Sequence, residues 1–217
     1  MAKPNTMLRE TAYQYILDLI MTQQLLPNDK VPESSVAKKF EISRTPVRDA
    51  MQQLANEGLL EIFPNRYVKV KAYSMDDVME IGVLRLSMDT MSVKLASLFG
   101  SRADFMKLDE IATQCEEAFL NQDLSLKRDL DCKFHMALAE ITGNKLLIKF
   151  QKELYLRIQY IMLCYPNTIE REKEHLQQHH EIAEALIHND TDLALKLIVD
   201  HLTSFYNLSS KYPTNFF

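Results

Sequence analysis

A mainly helical chain in two parts is what this sequence predicts, and three observations carry that reading. Only four glycines occur in 217 residues, at positions 58, 82, 100 and 143, which suits long helices with few tight turns. Apolar residues recur at helical spacing through most of the chain. Strand-type runs are confined to LLEIF and YVKVKAY, on either side of Pro64-Asn65-Arg66. A composition of 47% hydrophobic and 25% charged residues is that of a globular protein, not a disordered one.

The elements follow in order. Leu8, Ala12, Tyr15, Ile16, Leu19 and Ile20 predict a first helix over about 6–23. LLPNDKVPES, with two prolines, reads as a loop. A short helix over about 33–40 turns Val36, Ala37 and Phe40 inward, and Glu-Ile-Ser makes the turn after it. Ser43 is the expected N-cap of a third helix that runs to about Asn56, with Val47, Ala50, Met51 and Leu54 inward and Gly58 as its stop. The two β-rich runs then form a hairpin. After Tyr73 no strand signal remains. Six helices are expected, at about 76–99, 102–121, 123–142, 144–165, 169–188 and 191–209, as a helical bundle. The boundary therefore divides the chain into residues 1–73 and 74–217.

Several classes are excluded. No apolar run approaches the ~18 residues of a membrane span, and MAKPNTMLRE lacks the apolar core of a secretory signal. Cys115, Cys132 and Cys164 are odd in number and widely spaced, so neither a disulfide frame nor a zinc ribbon is indicated and a reducing cytoplasm is the expected address. The net charge of −5 is uneven. Residues 1–71 hold ten Lys+Arg against eight Asp+Glu, and the remainder fifteen against twenty-two. The first third thus permits a nucleic-acid contact.

Three helices and a hairpin within about 70 residues make a winged helix-turn-helix, with the motif over 33–52. Its third helix opens with Arg44 and Arg48, cations at the helix end that already carries positive dipole character, so an anion should lie opposite. Major-groove DNA fits, because such a helix presents its N-terminal residues to the base edges and Arg bonds guanine O6 and N7 together. Ser43, Thr45 and the first-turn amides suit a phosphate. Ser34, Ser35 and Lys38 suit the backbone, and Arg66 at the hairpin tip a minor groove.

In the second part, Asp131 and His135 of DCKFH lie four residues apart on one helix face. His179 or His180 and then His201 follow on two later helices. Three imidazoles and a carboxylate converging in a bundle suit Zn²⁺, Ni²⁺, Mn²⁺ or Fe²⁺ without choosing among them. Taken singly, these residues read more readily as ordinary buried histidines; an enzyme's metal-activated water site is a further alternative, although beyond the quartet only His180 and Glu181 offer a general base, and on an exposed-looking stretch.

SRTPVRDAMQQLANEGLL, with VPESSVAKKFEI before it, resembles the GntR superfamily of transcription regulators over about residues 8–71. Residues 76–209 resemble the FadR C-terminal (FCD) effector domain, in its six-helix, VanR-like form. The resemblance implies base contacts from Arg44 and Arg48 and a backbone contact from Thr45. It implies a divalent metal on Asp131, His135, His179 and His201, with His179 preferred over His180 by its spacing to Ile182, Ala185 and Asp190. It implies an effector cavity near Arg85, which pairs equally well with Asp89 along its own helix, and Asn144 of ITGN fits the family pattern. A homodimer reading a palindromic operator, controlled by a small organic acid, is the expected function, with the metal as signal or as pure structure the alternatives. Two departures stand out: Asn28 and Tyr67 occupy positions where many relatives carry glycine.

Overall fold

A computed structural model describes residues 4–64 and 66–213 and divides the chain into two compact units, Met1–Ala72 and Tyr73–Phe217. The first unit holds α1 (Pro4–Met21), α2 (Glu33–Lys39), α3 (Arg44–Asn56), β1 (Leu60–Phe63) and β2 (Tyr67–Val70). Its core is Ala12, Ile16 and Ile20 of α1, Val36 of α2 and Val47, Ala50, Met51 and Leu54 of α3, all fully buried or nearly so. These are the inward positions that the apolar period marks.

Gly58 ends α3 in the way its freedom allows. At φ 87° it lets its own amide reach Ala55 O and the Leu59 amide reach Leu54 O at 2.9 Å, which satisfies two carbonyls and turns buried Leu59 into the core. The strands pair antiparallel, Leu60 with Val70 and Phe63 with Tyr67. The stretch read as loop does more than connect. Asn28 N and Val31 N donate to Val70 O and Val68 O, and Lys30 bridges to Lys69, so 28–31 runs along the outer edge of β2. Asn28 has φ 73°, a left-handed conformation that asparagine tolerates where glycine is the usual choice. Its side chain accepts from Lys69 Nζ at 3.1 Å.

The second unit holds α4 (Met75–Phe99), α5 (Arg102–Leu120), α6 (Leu124–Ile141), α7 (Lys145–Cys164), α8 (Ile169–Ile187) and α9 (Thr191–Phe205), then a short 3-10 turn, Leu208–Ser210. The last helix is therefore shorter than its apolar pattern predicts, because Asn207 takes φ 52° and breaks it. Capping boxes at Ser74–Asp77 and Ser101–Asp104 start α4 and α5. Two turns serve both helices they join. Gln122 and Asn189 take left-handed φ, the amides of Asp123 and Asp190 close back on Ala118 O and Ala185 O, and the same two aspartates cap α6 and α9. The second turn sets α8 against α9, which brings two of the candidate ligands within reach of one another. At Gly82 an added Cβ would meet the Tyr206 ring at 2.5 Å, so α4 and the end of α9 approach as closely as glycine permits.

Candidate functional site

In the first unit α2, α3 and the hairpin enclose an open cleft of about 730 Å³ lined by Lys30, Ser34, Ser35, Arg44, Arg48, Arg66 and Tyr67, among others. Arg44 and Arg48 lie on its α3 wall with most of their side chains in solvent. Ser43 stands at the N-cap position with extended backbone, but its hydroxyl does not cap the helix. The hydroxyl and the first-turn amides are thus left for an outside acceptor. Ser34, Thr45 and Arg66 are exposed. The anion that the paired arginines call for is supplied in the free chain by Glu33, which accepts from Arg48 Nε at 3.1 Å and lies 4.0 Å from Arg44 Nε. Exposed ion pairs of this kind contribute little and yield readily to a phosphate or a base. Tyr67 stacks on Phe63 at 4.8 Å with Lys30 Nζ 4.6 Å over its ring, so the hairpin carries a cation-covered aromatic.

The second site is buried. His135 of α6, His179 of α8 and His201 of α9 each offer a ring nitrogen, and these atoms lie within 4.8 Å of one another. Their exposures are 2%, 0% and 1%. Both ring nitrogens of His135 and of His179 lack a hydrogen-bond partner. His201 Nδ1 meets Gln178 Oε1 at 3.0 Å, a contact that puts the proton on Nδ1 and leaves Nε2 its lone pair. Burial, with the neighbouring imidazoles and, for His179, the cations Lys127 and Arg85, holds His179 and His201 well below the usual histidine range, so both are neutral and able to ligate. Unpartnered buried nitrogens cost free energy unless something takes their lone pairs. A divalent ion does so, and the donor set fits one.

The group that could hold an ion comprises the three imidazoles without Asp131. Asp131 adjoins it but is held by cations of the chain, with Oδ1 3.6 Å from Arg85 Nη2 and Oδ2 3.9 Å from Lys127 Nζ. Burial opposes its ionisation, yet Lys127 and Arg85 override that and keep the carboxyl below its ordinary range. Arg85 is 2% exposed, donates from Nη1 to Tyr206 Oη at 3.0 Å, and lies 3.6 Å from Asp89 through Nε, so both readings of this arginine meet in one place. Its Nε and Nη2 make no hydrogen bond. Asp89 Oδ2 approaches His135 Nδ1 to 2.8 Å without hydrogen-bond alignment, and Asp89 Oδ1 accepts from Gln151. A crevice of about 10 Å³, enough for one water, separates Arg85 and His135 from Gln151 and Tyr155.

His179, not His180, is the inward residue. His180 is half-buried and pairs with Asp109 at 2.6 Å and Glu116 at 3.7 Å. Asn144, expected at the effector, is exposed, and its Oδ1 caps α7 by accepting from Leu146 N and Leu147 N. Three participants were not read from the sequence. His175 is 2% exposed and packs edge-on to His201 at 5.2 Å; Lys127 is 3% exposed; Glu33 pairs with Arg44 and Arg48. Spacing carries the signal for the first two, since His175 stands four residues before His179 and Lys127 four before Asp131.

Known proteins resemble both parts of the chain. Residues 8–70 match the model described as "Bacterial regulatory proteins, gntR family", and residues 80–204 match the FCD domain. The chain belongs to the GntR family, in its FCD branch. The Uxu operon regulator of Haemophilus influenzae is 29% identical over 80% of this chain and 71% of its own length. The transcriptional repressor RspR of Escherichia coli is 26% identical over 92% and 87%. Among solved structures, a GntR regulator from Rhodococcus sp. RHA1 has a TM-score of 0.79 at 21% identity, over 94% of this chain and 98% of that one. E. coli McbR/YncC has 0.74 at 19%, over 98% and 100%. This GntR-family chain is thus a DNA-binding transcription regulator of the GntR/FCD type, and the curated relatives named above are regulators, not enzymes. Among the described residues no helix is long and apolar enough to cross a membrane.

Proposed function

We propose that this regulator is a homodimeric repressor whose affinity for a palindromic operator is set by a small carboxylic acid bound at a divalent metal in the helical body. The observation that carries this reading is the set of three buried imidazoles whose ring nitrogens approach one another, with those of His135 and His179 making no hydrogen bond. His135, His179 and His201 would hold the ion, with Asp131 beside them. The ion would supply a Lewis-acidic centre for one carboxylate oxygen. The two Arg85 nitrogens without hydrogen-bond partners would donate to the other oxygen.

Dimerisation finds support in α4. Leu84, Met91 and Leu98 recur every seven residues and are 50%, 48% and 74% exposed, and half-buried Met88 and Leu95 complete the stripe. An apolar seam of this length suits a second copy of the same helix. A two-fold protein then reads a two-fold site with a pair of α3 helices.

Operator affinity measured with metal supplied, with metal chelated, and with a panel of small carboxylates tests the whole reading. The expected result is a metal-dependent shift in operator affinity on adding one acid, because only differential affinity for two states moves an equilibrium. A metal that raises the melting temperature while every acid leaves operator affinity unchanged would make the ion structural.

A further inference from the structure

We propose that Lys127 is a buried positioning residue that sets how tightly the imidazole site holds its divalent cation, by competing with that cation for the Asp131 carboxylate. The inference rests on the metal reading above. Lys127, Asp131 and His135 follow one another at four-residue intervals on α6, so one helix face lines up an ammonium, a carboxylate and an imidazole. Lysine is almost never this deeply buried unless paired, and both partners here are anionic. Asp131 Oδ2 lies 3.9 Å from the ammonium, and Glu172 Oε2 meets it from α8. The second Asp131 oxygen faces Arg85 at 3.6 Å. Each oxygen of the carboxylate thus already has a positive charge of the chain beside it.

A cation arriving at the three imidazoles therefore meets an Asp131 that is partly neutralised. It gains the carboxylate only by drawing it off Lys127, and the ammonium repels it meanwhile through an interior where salt screens weakly. Glu172 sets how far Lys127 leans. With Glu172 charged, the ammonium is shared between two carboxylates. Without that charge it has Asp131 alone and holds it harder. Removing the cation and removing its second anion should consequently move metal affinity in opposite directions. Packing alone predicts no such opposition.

The test is Zn²⁺ affinity of the full-length chain by competition with a chromophoric chelator, repeated with Ni²⁺, for wild type, K127M and E172Q. K127M is expected to bind about ten-fold more tightly and E172Q about ten-fold more weakly, the scale on which groups just outside the ligands move metal affinity. Unchanged or weaker binding by a folded K127M overturns the proposal. Should K127M not fold, E172Q decides, and equal or tighter binding overturns it. Failure of the wild type to bind either ion brings down the metal reading and this proposal together. Wild-type binding with no separation of the two variants brings down only the role of Lys127.

Discussion

The two sites of this protein solve opposite problems. In the first unit the functional groups stand in water: Arg44 and Arg48 are mostly exposed, and Glu33 holds them loosely while no DNA is bound. In the second unit the groups are buried: His135, His179 and His201 are at most 2% exposed, and the ring nitrogens of His135 and His179 make no hydrogen bond to the protein. An exposed cation costs almost nothing to keep unpaired, so it can wait for a large polyanion. A buried lone pair is expensive to leave unpaired, which is why the second site is proposed to hold a tight, small occupant. The lesson is that solvation decides which kind of partner each half of a regulator can hold in reserve.

Four measurements break or sharpen that contrast. The largest effect is expected from His135→Ala, which should lose metal by more than the 10–100-fold typical of changes outside the ligand shell. DNA affinity without effector should change far less. Elemental analysis of the purified variant checks it, and a full metal content would remove His135 from the ligands.

Next comes pH. Burial depresses His179 and His201 in the folded state, while the unfolded chain protonates them near 6.5. Below that pH the unfolded state binds more protons. Stability of the metal-free helical body should therefore be fully present above about pH 6.5 and be lost as pH falls toward the folded values, by up to roughly 1.4 kcal/mol per pH unit for each imidazole. Urea titrations of chelated protein between pH 7.5 and 5 would show this, and a flat profile would mean the imidazoles are not held neutral.

Arg44→Ala should cost about 1–3 kcal/mol of operator binding and relax the choice at one base pair. Gel-shift titrations against a site and its point mutants measure both, and an intact preference excludes Arg44 from base reading. The smallest effect is expected from Arg66→Ala, a weakening spread evenly over sequences with a salt slope lower by about 1. A change in base preference instead would mean that the wing reads sequence.

Legibility differs between the two sites for the same reason that their chemistry does. The candidate DNA face comes from one continuous run, Glu33 to Arg66, so local spacing and turn signals suffice to find Arg44, Arg48 and the hairpin. The buried cluster is assembled from α6, α8 and α9, and periodicity could say that each histidine lay near an apolar stripe but not that three stripes met at one point. Hence His179 and His180 were equal on helical phase alone, and His175 and Lys127 passed unnoticed. Asn144 had a motif to recommend it, yet its oxygen is spent capping α7.

By itself, then, the sequence determined the order and type of the elements, the hairpin, the stop at Gly58 and the polarity of the reading helix, because all of these are set by interactions within a few residues along the chain. The tertiary structure alone decided which imidazole turns inward, that Asp131 is met by Lys127 and Arg85, and that Glu33 faces the arginines. Those contacts depend on how separate elements lie against one another, and no local period encodes that.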